Sequence, residues 1–326
     1  MTDCPPDLAA FVLGQTNLQG PLTCTPLTGG VSSDIYLVSS DDRAVVAKRA
    51  LPQLRVAAVW QAPVERSGSE AAWLEVADDL APRFAPRLLG YSPDHGWLLM
   101  EHLDPGSHQM WKDELLGGRV DVALAEELGV RLGSLHSATA ARPDLAQRFA
   151  TDELFDALRL DPYLRALLPL HPLVAHRLEE LLERTAATRL ALVHGDVSPK
   201  NVLVGPKGPV LLDAECAWWG DPAFDVAFLL THLVAKSVHL PAHCTAFCDA
   251  IAAFVDGYAS QIDWEPVPDL LGRVATLLPA LVLARVDGKS PLEYLDSGSR
   301  DELRDRALAV LPGGPLDLGM TLELLT

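Results

Sequence analysis

The sequence predicts an α+β fold in two lobes, a small antiparallel β-rich lobe over residues 1–103 and a larger, mainly helical lobe over residues 104–326. Short β-like runs separated by turn residues crowd the N-terminal third. Apolar residues recur at helical spacing from Val122 onward. Within that helical part, Ala191 to Glu215 breaks the pattern with brief apolar runs that lead into carboxylate and carboxamide side chains. A length of 326 residues suits about two such units.

Along the chain, Pro5 to Gly14 places Leu8, Phe11 and Val12 on one side and predicts a short leading helix. Leu22 to Leu27, Ile35 to Val38 and Ala44 to Lys48 predict strands, with Gly29-Gly30-Val31-Ser32-Ser33 and Ser39 to Arg43 as the turns between them. A glycine pair followed by Ser32 lets backbone N–H groups approach a phosphate closely. Lys48 ends the run Val-Val-Ala-Lys, the kind of strand lysine that holds α and β phosphates. Glu65 to Asp79 has helical spacing, and its Glu70 is expected to pair with Lys48, with Glu75 as the alternative. Pro82 and Pro86 end that helix before two more strand-like runs, Arg87 to Tyr91 and Trp97 to Leu103. Asp104-Pro105-Gly106 then marks a hinge, where main-chain groups at Met100, Glu101 and Leu103 would meet a nucleotide base. Trp111 and Lys112 would lip the cleft beyond it.

The second part reads as helices over Ala123 to Ala138, Thr151 to Arg159, Leu173 to Arg184, Ala223 to Val234, Ala242 to Ser260, Pro268 to Ala284 and Arg300 to Leu311. His136 is expected to be a hydrogen-bonded core residue. Gly313 to Thr326 reads as a loosely attached tail.

Composition limits the function classes. Hydrophobic residues make up 49% of the chain, yet its apolar runs fall short of the ~18 residues of a membrane span. The N-terminus lacks the basic region of a signal peptide. A formal charge of −18 argues against nucleic acid or an anionic membrane as partner and would favour a cationic substrate. Five scattered cysteines, Cys4, Cys24, Cys216, Cys244 and Cys248, predict reduced thiols and a cytoplasmic setting. The chain is expected to be a monomer or homodimer.

The chemistry concentrates in one stretch. Leu190 to Val193 delivers His194-Gly195-Asp196; Asn201 follows and opens the run Val202 to Val204. Gly205 to Gly208 form a turn, and Val210 to Leu212 end at Asp213, with Glu215 two residues on. Carboxylates and a carboxamide at strand ends bring hard oxygen donors to one point, which suits Mg²⁺ carried on a nucleotide polyphosphate. Asp196, one loop away, is placed to accept the proton of a hydroxyl. The pattern points to phosphoryl transfer.

His194-Gly195-Asp196-Val197-Ser198-Pro199-Lys200-Asn201 and Asp213-Ala214-Glu215 resemble the motifs of the aminoglycoside phosphotransferase family, which includes choline, methylthioribose and homoserine kinases. The resemblance runs in ordered landmarks from about Leu27 to Leu233. It implies a bilobal, protein-kinase-like fold and transfer of the γ-phosphoryl of ATP (or GTP), with Mg²⁺, to a hydroxyl of a small molecule. Asp196 would be the catalytic base, Asn201 and Asp213 the metal ligands with Glu215 beside them, and Lys48 the phosphate anchor. Lys200 would reach the transferring phosphate. Asp225 resembles the family's buried aspartate that braces the catalytic loop. Ser198 stands where the family often has histidine, and the Asp-x-Glu at 213–215 is similar to that of methylthioribose kinases. Trp218, Trp219, Arg285, Asp287 and Tyr294 are candidate acceptor contacts. The acceptor would be an aminoglycoside-type drug, or a sugar or amino alcohol of metabolism; a catalytically inactive ligand-binding relative is the third reading.

Overall fold

The computed structural model describes residues 2–27, 32–40, 43–53, 55, 63–140, 142–313 and 317–326. In the N-terminal part, β1 (Thr2–Asp3), β2 (Thr23–Pro26), β3 (Ser33–Ser40), β4 (Arg43–Ala50), β5 (Leu88–Ser92) and β6 (Trp97–Glu101) form one antiparallel sheet in the order β1-β2-β3-β4-β6-β5. Alternation along the strands gives the sheet two apolar faces. Val38, Val45, Ala47, Trp97 and Leu99 pack with Leu8 and Val12 of α1 (Pro6–Gln15) on one of them. Leu98 and Met100 pack with Ala71, Trp73 and Leu74 of α2 (Arg66–Leu80) on the other. Lys48 belongs to the α2 face, because it alternates with Ala47 and Arg49 in the central strand β4.

The larger part contains β7 (Gln109–Met110), α3 (Trp111–Leu116), α4 (Val122–Ala140), α5 (Pro143–Arg148) and α6 (Asp152–Phe155), which runs into a π-helical stretch (Asp156–Leu164) and a tight turn (Arg165–Leu167). After α7 (Ala175–Ala187) come β8 (Ala191–Val193), β9 (Val202–Gly205), β10 (Gly208–Leu211) and β11 (Trp218–Gly220). They are followed by α8 (Ala223–His239), α9 (Cys244–Ala259), α10 (Val267–Asp287), α11 (Ser297–Val310) and α12 (Leu318–Leu325). Strands β10, β9 and β7 make a small antiparallel sheet, and β11 pairs with β8. Helices α4 and α9 approach so closely that a Cβ on Gly129 would lie 2.3 Å from the Phe254 carbonyl oxygen. Helix α10 is long and apolar enough to cross a membrane, and here it is mostly buried, with Leu277, Leu278, Leu281 and Leu283 in the core.

Two expectations are corrected. The C-terminal segment is docked, not loose: the Asp317 side chain caps α12 by accepting from Met320 N at 2.8 Å, and Leu318 and Leu325 are buried in the main core. The alternation of apolar residues in so short a helix is too brief to stand out from the polar chain before it. The second correction concerns the thiols. Cys4 and Cys24 form a disulfide, because the β1–β2 register sets Asp3 against Thr23 and Thr2 against Cys24 and so brings two cysteines distant in sequence together. Cys216, Cys244 and Cys248 are free thiols.

Leu325, fully buried, tests the docked tail. Leu325→Ala is expected to lower the unfolding free energy by about 2–4 kcal/mol, read by chemical denaturation. A change within about 0.5 kcal/mol, as for surface substitutions, would contradict the packing of α12.

Candidate active site

The segment between β8 and β9 is fixed from beneath. Asp225, at the start of α8 and fully buried, accepts from His194 N at 2.7 Å and from Gly195 N at 2.8 Å. His136 of α4 joins it, with Nε2 3.3 Å from Asp225 Oδ2 and Nδ1 2.7 Å from the Tyr258 hydroxyl, as a core role for that histidine predicts. Gly195 takes φ +79°, and a Cβ there would meet the Cys216 carbonyl oxygen at 2.7 Å, so only glycine fits. His194 Nδ1 accepts from Asp196 N at 3.1 Å. Burial, which outweighs Asp225 and Asp196, lowers the pKa of His194 and keeps it neutral.

Asp196 emerges from this loop 3% exposed. Its Oδ2 lies 3.1 Å from Arg159 and 3.1 Å from Lys200, while Oδ1 is buried with no hydrogen-bond partner. Burial pulls its pKa up, but Arg159 and Lys200 outweigh that and leave it lowered. The carboxylate is therefore ionised at neutral pH. Asn201 Nδ2 donates to the Asp196 carbonyl at 2.9 Å, a bond that does not use the carboxamide oxygen.

The second group assembles around Lys48. Its ammonium is bonded to Asp213 Oδ1 and lies 2.7 Å from Glu70 Oε2. Burial works against the ammonium, yet Asp213, Glu70 and Glu215 outweigh it and raise its pKa. Burial likewise pushes Glu70 up to about 7, with Lys48 opposing. Asp213 is lowered, since Lys48 and Lys200 overcome its burial. Asp213 also takes φ +68°, a left-handed conformation that aspartate tolerates better than most residues and that aims its carboxylate back at Lys48. Glu215 pairs with Arg66 Nε at 3.0 Å, and Arg66 further donates to the carbonyls of Pro63, Ser32 and Leu51. Glu75, the alternative partner for Lys48, instead pairs with Arg148 at the surface.

Of the other expected contacts, Gly29 and Gly30 lie outside the described residues. Ser32 is buried, and its carbonyl also accepts from Leu51 N at 2.9 Å. Met100 packs in the core beside α2, while Glu101 exchanges bonds with Arg87, just before β5, through its N–H and side chain. Leu103, just past β6, is half-buried. Trp218 and Trp219 are buried: Trp218 stacks on Phe155 at 4.1 Å and donates to Asp152 at 2.9 Å, so their place is packing around β11. Asp287 is held by Arg304 and His171 at 2.8–2.9 Å and fastens the end of α10. Trp111 is 1% exposed and fills the core, whereas Lys112 pairs with Glu293. Arg285 and Tyr294 stand in a separate group with Lys236. Among the described residues, no three His, Cys, Asp or Glu side chains gather closely enough to hold a metal by themselves.

Sequence reading missed Arg159, Arg66 and Lys236. A signal existed for two of them: Arg159 falls four residues after Phe155 and four before Tyr163, and Lys236 follows Phe228 and His232 at the same interval. A charge kept on an apolar helical face is a candidate for a buried ion pair.

Residues 23–268 match the model of the phosphotransferase enzyme family, APH. The chain belongs to that family. A methylthioribose kinase of Yersinia pseudotuberculosis is 25% identical over 225 residues, 60% of this chain and 54% of its own length; the chain thus spans about half the length of this relative. Two solved structures of the same fold cover nearly all of both chains. A choline/ethanolamine kinase family protein from Mesorhizobium loti is 18% identical, covering 98% of each chain, with a TM-score of 0.55. The amicoumacin kinase hAmiN, solved with AMP-PNP and Ca²⁺, is 14% identical, covering 98% of this chain and 97% of its own, with a TM-score of 0.57. The small antiparallel sheet and larger helical part of this chain have the protein-kinase-like fold of these structures.

Asp225→Ala would strand two main-chain N–H groups and His136 in the core. It is expected to lower the unfolding free energy by about 3 kcal/mol or more; a loss below about 1 kcal/mol in chemical denaturation would contradict this bracing.

Proposed function

We propose that the chain is an ATP-dependent phosphotransferase that moves a γ-phosphoryl group to a hydroxyl of a small molecule. The observation that carries this reading is a pair of ion-pair chains, Glu70–Lys48–Asp213 and Arg159–Asp196–Lys200, drawn from both lobes and joined by the attraction between Lys200 and Asp213. The boundary between the lobes is read at about Leu103, with the nucleotide base against the main chain there and GTP as an alternative donor.

The donor set fits a magnesium-nucleotide. The carboxamide oxygen of Asn201 and the Asp213 carboxylate, 24% exposed, are hard oxygens, too few to hold Mg²⁺ without phosphate oxygens to complete the shell. Glu215, already bonded to Arg66, would support rather than ligate. Magnesium bound there neutralises phosphate charge. Lys48, held by Glu70, binds the phosphates on the nucleotide side. Lys200, whose side chain is 45% exposed, faces the transferring group and offsets charge that develops on it. Asp196 accepts a hydrogen bond from the acceptor hydroxyl through the unpartnered Oδ1. As the new O–P bond forms and the bond to ADP breaks, Asp196 takes the hydroxyl proton. With its pKa lowered, Asp196 is a weak base, which suits a loose transition state in which the proton moves late and positioning supplies most of the rate.

The reading places the enzyme in the cytoplasm, where nucleoside triphosphate is supplied; a Cys4–Cys24 disulfide is uncommon in that compartment. The Asp213-x-Glu215 spacing and the methylthioribose kinase relatives favour a metabolic acceptor over an antibiotic one. An ADP-release screen with aminoglycosides and macrolides on one side, and pentoses, amino alcohols and their acidic or phosphorylated derivatives on the other, separates the two, since each predicts saturable release within its own class alone.

Asp196→Asn is expected to lower kcat by about 100-fold or more with little change in affinity for Mg·ATP; activity retained within a few-fold would sink the assignment. Arg159→Met removes the main cation that keeps Asp196 ionised, so the carboxyl pKa rises. The acid limb of kcat/KM, which lies below the ordinary carboxylate range of about 4 in the unmodified enzyme, should move to higher pH; an unshifted limb would contradict the pairing.

A further inference from the structure

Past Asp196, the buried side of α8 carries nitrogen-bearing side chains. Phe228, His232 and Lys236 are all buried at four-residue intervals, so they share one side of the helix. Lys236 is 1% exposed; its Nζ donates to the Tyr294 hydroxyl at 3.2 Å and stands 4.6 Å from that ring's centroid. No carboxylate pairs with it among the described residues. Arg285, on α10 and 7% exposed, donates among the described residues only to neutral oxygens: the Ser290 hydroxyl at 2.8 Å, the Tyr163 hydroxyl at 3.2 Å and the Ser290 carbonyl. Arg285 Nε and His232 Nε2 are buried without hydrogen-bond partners among the described residues. Burial first, then repulsion from Lys112 and Arg285, pushes Lys236 down to about 7, with Glu293 opposing. Burial and the same cations hold His232 well below its ordinary value, so it is neutral.

This group adjoins the proposed reaction centre. The Tyr163 ring lies between the two arginines, with Arg285 Cζ and Arg159 Cζ each 5.7 Å from its centroid, and Arg159 in turn holds Asp196. A carboxylate at its edge is Glu293, whose side chain is 65% exposed and pairs with Lys112. Exchanging such an exposed pair costs little.

A buried guanidinium without a counter-charge is strongly unfavourable, and the buried amine beside it is poised to take a full charge once an anion arrives; both stand in a chain of net charge −18. We propose that the acceptor is an anionic hydroxy compound, carrying a carboxylate or phosphate that Lys236, Arg285 and Lys112 hold while its hydroxyl meets Asp196. The inference rests on the kinase reading of the same site and narrows its substrate class. The anion takes the place of the Glu293 carboxylate on Lys112 and supplies the charge that Lys236 and Arg285 lack. The substrate preference is thereby opposite in sign to what the overall acidity suggests.

Calorimetric titration of the intact protein tests this with glycerate and tartrate as hydroxycarboxylates, ribose 5-phosphate and glycerol 3-phosphate as phosphates, and ribose, choline and kanamycin as neutral and cationic controls. Mg·ATP is titrated in parallel. At least one anionic probe is expected to bind, and the group that binds identifies carboxylate or phosphate as the anion. Lys236→Met and Arg285→Gln should weaken that binding 10-fold or more and leave Mg·ATP affinity within 2-fold. Lys236→Met should melt no lower than the parent, because it removes an unpaired buried charge. Binding of Mg·ATP with no anionic probe bound, or anion binding unchanged in Lys236→Met, overturns this inference while the kinase reading stands. Failure to bind Mg·ATP overturns the kinase reading instead.

Discussion

Lys48 is buried between two carboxylates that come from opposite sides of the cleft. Glu70 reaches it from α2 within the N-terminal lobe, and Asp213 from the loop after β10 in the other. A lone ammonium in that place would be untenable, since burial works against it more than any other single influence. The pairs make it tenable, and in doing so they set the distance between the central sheet and the loop after β10. Arg66 adds a second tie of the same kind, from α2 to Glu215. The site is thus a lattice of alternating charges in which each member fixes its neighbours.

The opposite wall depends on main-chain bonds. Asp225 holds the N–H groups of His194 and Gly195, and Gly195 passes against Cys216 where no side chain would fit. The backbone of the loop is therefore set before Asp196 is reached. Arg159 then orients and ionises that carboxylate from the π-helical stretch, packing over Tyr163 and Phe228 as it does so. Catalysis that works by positioning and charge neutralisation needs little more than such rigidity.

Much of this is legible in the chain. The alternation in β3, β4 and β6 and the periodicity of α2, α4 and α8 place these elements within a few residues, because each has one face in a core. Glu70 is preferred to Glu75 correctly, since only Glu70 falls on the buried side of α2. Contacts that join distant segments are not local signals. The β1–β2 register that brings Cys4 to Cys24, the docking of α12, and the pairing of Arg159 with Asp196 all depend on tertiary closure. Trp218 and Asp287 show the converse: closeness in sequence to the motifs for Trp218, and the likeness to the family fold for Asp287, suggested contacts with the acceptor, but Trp218 stacks on Phe155 in the core and Arg304 engages Asp287.

The most direct test of the account is calorimetric titration of ATP with and without Mg²⁺, on the parent protein and on Asp213→Asn. The account predicts ATP binding that strengthens with Mg²⁺ in the parent and loses that dependence when Asp213 can no longer ligate. ATP affinity equal in EDTA and in Mg²⁺, or an Asp213→Asn protein with the parent's full magnesium dependence, would contradict it.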